Sequence, residues 1–165
     1  KKNFSKIYDV IDIAFPYEEK REKAEMEALL NEEGYHFCGI KVDDKNVGVL
    51  VYWDISDRIY VEYIAILPEY RNGGISSKVL SRFLEQAQSC VLEVEMPETE
   101  MALRRIGFYQ RLGFVVNEYA YSQPSYHHDG VTTPMKVLSF PRALTEEEFR
   151  NVKSELYNKV YNYKE

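Results

Sequence analysis

The stretch of sequence that decides the fold is Ile64-Ala65-Ile66-Leu67-Pro68-Glu69-Tyr70-Arg71-Asn72-Gly73-Gly74-Ile75-Ser76-Ser77. An apolar run typical of a β-strand ends at Pro68, which has no N–H group to extend a sheet ladder. Gly73 and Gly74 then allow a sharp turn into a helix. The first N–H groups of a helix have no partner within it and carry partial positive charge. The turn therefore predicts a site for an anion such as a diphosphate, to which Arg71 adds a full charge.

Apolar spacing on either side of this stretch predicts a mixed α/β fold. Helix-type spacing covers residues 4–14, 18–32, 75–87, 98–112 and 146–161, and Thr145 is a good N-cap for the last helix. Strand-type runs cover residues 35–42, 47–55, 59–67, 90–94, 114–121 and 135–140. The first three strands, joined by short polar turns, predict an antiparallel meander, and the strand–helix–strand order that follows predicts a parallel crossover.

A second motif is Arg105-Ile106-Gly107-Phe108-Tyr109-Gln110-Arg111-Leu112-Gly113-Phe114. The two motifs together resemble the Gcn5-related N-acetyltransferase (GNAT) family. Its first signature is Arg or Gln, two variable residues, Gly, one variable residue, then Gly or Ala, and its second is Phe or Leu, Tyr, two variable residues, then Leu-Gly-Phe. Arg71, Gly74 and Ser76 occupy the three fixed positions of the first signature. Ser76 departs from it, because the family has Gly or Ala there.

The resemblance implies a fold and an activity. The expected fold is a mixed, mostly antiparallel, splayed central sheet of about six to seven strands flanked by helices. The expected activity is direct transfer of an acetyl group from acetyl-CoA, as co-substrate, to a primary amine of a small molecule or peptide, with no metal. The residues that this family pattern assigns to acetyl-CoA are Ile64, Ala65 and Ile66 for the pantetheine arm, and Arg71, Asn72, Gly73, Gly74, Ile75, Ser76 and Ser77 for the diphosphate.

Three side chains are predicted to be catalytic. In the resembled family a tyrosine at the position of Tyr109 protonates the departing thiolate. Glu93 lies in a strand otherwise suited to burial, where a carboxylate is costly unless it is paired or functional. Ribosomal-protein-type N-acetyltransferases carry a similar Leu-Glu-Val strand, whose glutamate is considered a general base. Glu62 is the alternative base, and two-residue periodicity predicts that it shares a face with Tyr60 and Ile64.

The acceptor side is predicted to include Tyr121 and Tyr126, near a polar loop at 122–134. Adjacent His127 and His128 do not form a metal-ligand pattern with other residues of the sequence, so no metal is expected. The acceptor is left open among polyamine, antibiotic, amino acid and protein N-terminus. Which glutamate acts as base is also open.

Length and composition predict a single acetyltransferase-like domain over residues 1–165, because 165 residues with 45% hydrophobic content can bury one core. The absence of a long apolar stretch and of a secretory leader predicts a cytoplasmic protein with no membrane partner. Cys38 and Cys90 lie in apolar, strand-like surroundings, which predicts two buried free thiols.

The formal net charge of −6 argues against nucleic-acid binding, which depends on basic patches, and is compatible with a cationic amine. Tyr157 and Tyr161 lie four residues apart in the C-terminal helix and are predicted to pack on the chain's own sheet, with a homodimer left open. Two other functions stay open at this point. One is a non-catalytic acyl-CoA-binding or regulatory module, and the other is an interaction domain without CoA.

Overall fold

The computed structural model describes residues 3–165 and contains five α-helices and seven strands in that range. The helices are α1 (Phe4–Ala14), α2 (Lys23–Leu29), α3 (Ile75–Ala87), α4 (Glu100–Arg111) and α5 (Glu146–Glu155). The strands are β1 (Tyr35–Val42), β2 (Lys45–Ile55), β3 (Arg58–Ile66), β4 (Cys90–Glu95), β5 (Val115–Asn117), β6 (Ser122–Pro124) and β7 (Thr132–Phe140). Short 3₁₀ turns at Tyr17–Glu19 and Pro68–Tyr70, and a π-type turn at Leu156–Val160, complete the helical segments.

The strands form one mixed sheet in the order β1-β2-β3-β4-β7-β5, with β6 also paired to β7. β3 and β4 run parallel and are joined by α3, while the other paired strands run antiparallel. The predicted fold class, a mostly antiparallel sheet flanked by helices, is confirmed.

Helices cover both faces of the sheet and bury a separate core on each. One core contains residues of α1, α2 and α5 around the fully buried Trp53. The other contains Leu80 and Leu84 of α3 and Ile106 and Tyr109 of α4. In the described part of the chain, no helix combines the length and apolar character needed to cross a bilayer.

Two predicted elements differ most from the structure, while β7 begins three residues earlier than predicted and the last helix changes to the π-type turn at Leu156. The helix predicted over 18–32 begins only at Lys23, after a 3₁₀ turn and an extended Lys20. The strand predicted over 114–121 is limited to β5, and β6 lies in a segment predicted to be a loop. Buried Asn117 explains the break, because its amide binds Val137 O and Ser139 Oγ while its side-chain oxygen accepts the N–H of Leu144. The chain thus leaves β7 after Asn117 and returns to it at Ser122.

The prediction of two buried thiols is half wrong. Cys90 is fully buried in β4, but Cys38 is exposed. Cys38 lies on β1, the edge strand of the sheet, in an open groove that it lines together with Tyr52 and Phe83 of α3. Apolar neighbours in sequence do not distinguish an edge strand from a central one.

The C-terminal helix is started by a capping box. The Thr145 hydroxyl accepts the N–H of Glu148 at 3.1 Å, and the Glu148 carboxylate accepts the N–H of Thr145 at 2.9 Å. Beyond α5 the chain continues as the π-type turn, and Tyr157 and Tyr161 are both buried. Both tyrosines pack in the same core as Trp53, on one face of this chain's own sheet.

We expect Thr145→Ala to lower the free energy of unfolding by about 1 kcal/mol, because the N–H of Glu148 loses the side-chain oxygen that accepts its hydrogen bond. Urea denaturation followed by circular dichroism measures this. Thr145→Ser, which keeps the hydroxyl, is the control and should lose much less. Equal stability of wild type and Thr145→Ala would contradict the assignment of this cap.

Candidate active site

The site begins where β3 and β4 separate. Their parallel ladder consists of only two pairs in the described chain, Ile59↔Cys90 and Tyr60↔Val91. Beyond these pairs a cleft of about 440 Å³ lies between the strands. Its wall contains main chain of both strands, closed by the end of α1 and by one face of α4. The residues that line it include Phe15, Glu62, Ile64, Glu93, Arg105 and Tyr109.

A β-bulge at Glu62 changes the faces of β3. The register with β2 passes from Tyr52↔Val61 to Val51↔Tyr63, so Glu62 is an extra residue in β3. Tyr60 therefore lies in the core next to α1, whereas Ile64 packs in the core next to α3. The prediction that Glu62 shares a face with Ile64 is wrong, because regular two-residue alternation stops at the bulge. Tyr60 and Glu62 do point to the same side of the sheet, because Glu62 contacts Trp53, which lies in the same core as Tyr60.

The Glu62 carboxylate forms a buried ion pair. Its Oε2 atom lies 3.1 Å from Arg21 Nε, and its Oε1 atom accepts the indole N–H of Trp53 at 2.9 Å. The Glu62 side chain is 0% exposed and that of Arg21 is 4% exposed, so solvent screens this pair little. Glu62 is only partly buried as a residue, so its exposed part is main chain in the cleft.

Arg21 joins four parts of the fold. Besides Glu62, it binds Glu25 at 2.8 Å and the Val160 carbonyl at 2.5 Å, and its N–H donates to the Tyr63 hydroxyl at 3.2 Å. Burial acts to lower the pKa of Arg21, but Glu62, Tyr126, Tyr63 and Glu25 together outweigh burial, and the net pKa is raised. Arg21 therefore stays charged, and the linker between α1 and α2 is fixed to β3 and to the C-terminal segment.

Glu93 lies beside this ion pair on β4 and has neutral partners. Its carboxylate accepts four hydrogen bonds, from the hydroxyls of Tyr60, Tyr121 and Tyr161 and from the amide of Gln123. Burial raises the pKa of Glu93, and the four hydrogen bonds, which stabilise the ionised form, offset part of that rise. These four hydrogen bonds form a cage around the carboxylate. The cage supplies the partners that a buried carboxylate in this strand is predicted to need.

Tyr109 approaches the cleft from α4. It is 8% exposed and packs edge-on against Phe108 and Phe114, with ring centroids 5.2 Å and 5.5 Å away. Burial raises the pKa of Tyr109 to about 12, although the charge of Arg105, one helical turn earlier, acts to lower it. The phenol thus holds its proton at neutral pH, as a general acid must.

The glycine turn forms a cradle of about 240 Å³ next to this cleft. Gly74 begins α3 with φ of 71°, and a methyl group built on it would meet nothing within 4 Å. In the described chain, the N–H groups from Asn72 to Ser77 donate no hydrogen bond. Arg71 Nε donates to Ile66 O at 2.9 Å, which places the guanidinium at the end of β3. Ile66, Arg71 and Ser76 line both the cradle and the cleft, so the two cavities adjoin each other.

A small chamber of about 70 Å³ adjoins the cleft, and the two cavities share Phe15, Glu62, Glu93 and Arg105 in their walls. Glu19 and Glu95 also line it. Burial raises the pKa of the Glu19 carboxyl, and the nearby Glu95 raises it further. Arg105 lies 3.3 Å from Glu95. The chamber is thus acidic and has aromatic walls.

The structure separates the predicted acceptor residues. Tyr126 lines the chamber, is buried, and has the Arg21 guanidinium 4.9 Å from its ring centre. Tyr121 is buried behind it and donates to Glu93. His127 stacks on Tyr17 at 4.0 Å, and His128 is exposed. Within residues 3–165, no group of three His, Cys, Asp or Glu side chains is arranged to hold a metal ion.

Three residues of this site have no role in it in the sequence-based predictions, namely Arg21, Arg105 and Tyr161, while Gln123 falls in the polar acceptor-side loop at 122–134. Arg21 lies in the charged segment predicted to be a helix over 18–32, and nothing around it in the sequence indicates burial. Tyr161 carried a weak signal, because an aromatic residue at the end of a polar helix requires some partner.

Comparison with known proteins identifies the family. A family model described as "Acetyltransferase (GNAT) family" matches residues 4–114. The chain belongs to the GNAT acetyltransferase family. "Putative acetyltransferase YjbC" of Bacillus subtilis (strain 168) is 27% identical over 164 residues, which cover 96% of this chain and 82% of that protein. This confirms the resemblance drawn from the two motifs.

Solved structures of GNAT proteins share the fold. A "Putative acetyltransferase from GNAT family from Bacteroides thetaiotaomicron" superposes with a TM-score of 0.93 at 33% identity, covering 99% of this chain and 94% of that one. A GNAT acetyltransferase from Elizabethkingia anophelis, solved with acetyl-CoA bound, superposes with a TM-score of 0.57 at 18% identity, covering 80% and 88%. At that identity the second comparison shows the fold alone.

We expect Arg21→Met to lower the free energy of unfolding by about 3–5 kcal/mol, because it leaves the Glu62 carboxylate buried without a counter-charge. The double variant Arg21→Met/Glu62→Gln should recover part of this loss, because the remaining amide is neutral. Urea denaturation measures both.

Arg104→Met is the matched control, because it removes an exposed pair with Glu100 at 3.0 Å and should cost less than about 1 kcal/mol. A loss for Arg21→Met no greater than that of the control would contradict a buried, poorly screened ion pair.

Proposed function

We propose that this GNAT protein transfers an acetyl group from acetyl-CoA to a primary amine of a small molecule or peptide by direct transfer. The observation that carries the proposal is a row of three adjoining cavities: the cradle at Gly74, the cleft between β3 and β4, and the acidic chamber, with the cleft sharing wall residues with each of the other two. In this arrangement the cradle would bind the diphosphate, the cleft would hold the reacting thioester, and the chamber would bind the cationic acceptor. This is the order that the reaction requires.

The cradle and the cleft fit the two ends of acetyl-CoA. Unpaired N–H groups at the start of α3 suit the diphosphate, and Arg71 adds charge-assisted bonds. Ile64, Ala65 and Ile66 lie on the part of β3 that no longer pairs with β4, so their cleft-facing main-chain groups can bind the amides of a pantetheine arm. The proposed co-substrate is intracellular, and we accordingly propose a cytoplasmic protein.

The two predicted bases have different surroundings. The Glu62 side chain is fully buried, and its carboxylate is already paired with the fixed counter-charge of Arg21. Glu93 has neutral partners, lines both cleft and chamber, and has a pKa raised by burial, so its affinity for a proton is closer to that of a base at neutral pH. We assign proton removal to Glu93, directly or through a water molecule, and a structural role to Glu62.

The proposed step conserves atoms and charge. The amine nitrogen attacks the thioester carbonyl carbon, a C–N bond forms and the C–S bond breaks. The sulfur takes the phenol proton of Tyr109, which Arg105 assists by stabilising negative charge one turn away. The proton released by nitrogen goes to Glu93, which then gives it up to solvent, and solvent restores the proton of Tyr109.

The chamber supports a narrow, positively charged acceptor. It is small, and apart from Glu62, which Arg21 neutralises, the charged groups that line it are three carboxylates, of Glu19, Glu93 and Glu95, and one guanidinium, of Arg105. An acidic, partly enclosed site concentrates cations and disfavours anions. A linear amine, or the free amino end of a peptide, suits this shape and charge better than an acidic or a bulky ring-fused acceptor.

We expect Tyr109→Phe to lower the rate of thiol release from acetyl-CoA by about a hundredfold or more with an accepted amine, because the leaving sulfur loses its proton donor. Affinity for CoA should stay within about twofold, because the ring remains in place. A thiol-reactive dye in a screen of amine classes measures turnover, and calorimetry measures binding.

Tyr52→Phe is the control, because Tyr52 lies on β2 against His36, in a groove outside these three cavities. Unchanged thiol release by Tyr109→Phe would remove Tyr109 from the reaction. A wild type that binds CoA but releases no thiol with any amine class would instead favour the non-catalytic acyl-CoA-binding module.

We expect CoA to raise the melting temperature, because a ligand bound only by the folded state stabilises it. Arg71→Ala should weaken CoA binding about tenfold by removing one charge-assisted contact to the diphosphate. Arg82→Ala is the matched control, because it removes an exposed arginine of α3 outside the cradle. No thermal shift in the wild type would support a pure interaction domain and would overturn the proposal.

A further inference from the structure

The C-terminal segment reaches the proposed base. The Tyr161 hydroxyl donates to Glu93 Oε1 at 2.5 Å and accepts the Gln123 amide at 3.0 Å. It also lies 2.9 Å from the Tyr60 hydroxyl. Tyr161 is 3% exposed and 68 residues away from Glu93 in sequence. It therefore connects the last turn of the chain to the centre of the sheet.

The π-type turn directs this side chain. The N–H of Tyr161 donates to Leu156 O at 3.0 Å, a bond across five residues instead of four. In a regular α-helix Tyr157 and Tyr161 would lie one above the other on the same face. Here the Tyr157 hydroxyl donates to Ser122 O at 2.5 Å, while the Tyr161 hydroxyl goes to Glu93. Wide turns of this kind are frequent at functional sites.

A second contact holds the segment from the other side. Arg21 Nη2 donates to Val160 O at 2.5 Å, immediately before Tyr161. Arg21 is itself bound to Glu62, so the backbone next to Tyr161 is fixed relative to β3. The position of the Tyr161 hydroxyl is thus determined by two buried contacts from different elements.

We propose that Tyr161 is a positioning residue, which orients the Glu93 carboxylate and keeps it ionised for proton removal, so that the C-terminal segment completes the active site. Its effect on turnover rests on the proposed function, but its effect on Glu93 does not. Tyr161 touches neither substrate nor co-substrate in this role and acts only through Glu93.

The neighbours of Glu93 determine whether its pKa rises or falls when the Tyr161 hydroxyl is removed. The hydroxyl of Tyr161 stabilises the ionised carboxylate, whereas burial and nearby carboxylates stabilise the protonated form. Loss of the hydroxyl therefore raises the pKa of Glu93. The titratable or charged groups around Glu93 are Tyr60 and Glu62 on β3, Glu95 on its own strand, Tyr121 and Tyr126 beyond β5, Arg105 and Tyr109 on α4, Glu19 and Arg21 before α2, and Tyr161.

The direct test measures the Glu93 carboxyl itself by NMR titration of protein labelled with ¹³C at the glutamate carboxyl carbon, with Glu93→Gln used to assign its signal. Tyr161→Phe should raise the pKa of Glu93 by about one unit, the size expected for one hydrogen bond to a charged group. Tyr157→Phe is the matched control, because it removes a hydroxyl from the same segment without touching Glu93. It should leave that pKa unchanged.

A second variant guards against unfolding of Tyr161→Phe. Incorporation of 3-fluorotyrosine at position 161 keeps the ring and the hydroxyl but makes the phenol a stronger donor. The pKa of Glu93 should then fall, opposite to the effect of Tyr161→Phe. A Glu93 pKa that does not respond to either change would overturn the proposal.

A kinetic arm uses acetyl-CoA and the amine with the fastest turnover in the screen. In Tyr161→Phe, the acidic limb of the pH profile of kcat should shift to higher pH by the same number of pH units as the pKa of Glu93. The KM for acetyl-CoA should be unchanged. A uniform loss at all pH values would indicate a merely structural role and contradict the proposal. If no amine turns over in the wild type, the proposed function fails, while the NMR titration still decides the role of Tyr161.

Discussion

The early end of the ladder between β3 and β4 is the constraint on which the site depends. Two parallel pairs hold the strands together at Tyr60 and Val91, and beyond them the main chains diverge. A sheet that stayed closed would satisfy its own N–H and C=O groups and leave no space for a ligand. The bulge at Glu62 bends β3 at this same point. The cleft, the exposed main chain of β3 and the approach of Tyr109 from α4 all follow from this divergence.

Two carboxylates lie side by side at the divergence, and the protein stabilises them in different ways. Glu62 has a full counter-charge in Arg21, and the pair holds the linker between α1 and α2 and the C-terminal segment against the sheet. Glu93 has only neutral donors, so its charge is stabilised by hydrogen bonds and its pKa remains raised. Two neighbouring carboxylates can therefore have different roles, a structural one for Glu62 and proton transfer for Glu93. Neither arrangement is readable from the residues next to them in sequence.

Much of the fold was predictable because it depends on local rules. The limits of α1 and β1 match the predicted ones, and the turn into α3 follows from Pro68 and two glycines. The errors lie where partners decide the outcome. β5 and β6 are short because both pair with β7 and Asn117 interrupts them. Cys38 is exposed because β1 is an edge strand, and no local pattern distinguishes an edge strand from an inner one.

The sequence by itself determined the family, the crossover and the identity of the side chains able to donate or accept a proton, since these depend on short motifs and on residue chemistry. The tertiary structure alone decided which glutamate is neutralised and which is caged. That decision depends on Arg21, Gln123 and Tyr161, whose positions near β3 and β4 arise from the packing of distant segments. Electrostatic roles are set by distance and burial, and both are properties of the folded chain rather than of the residue order.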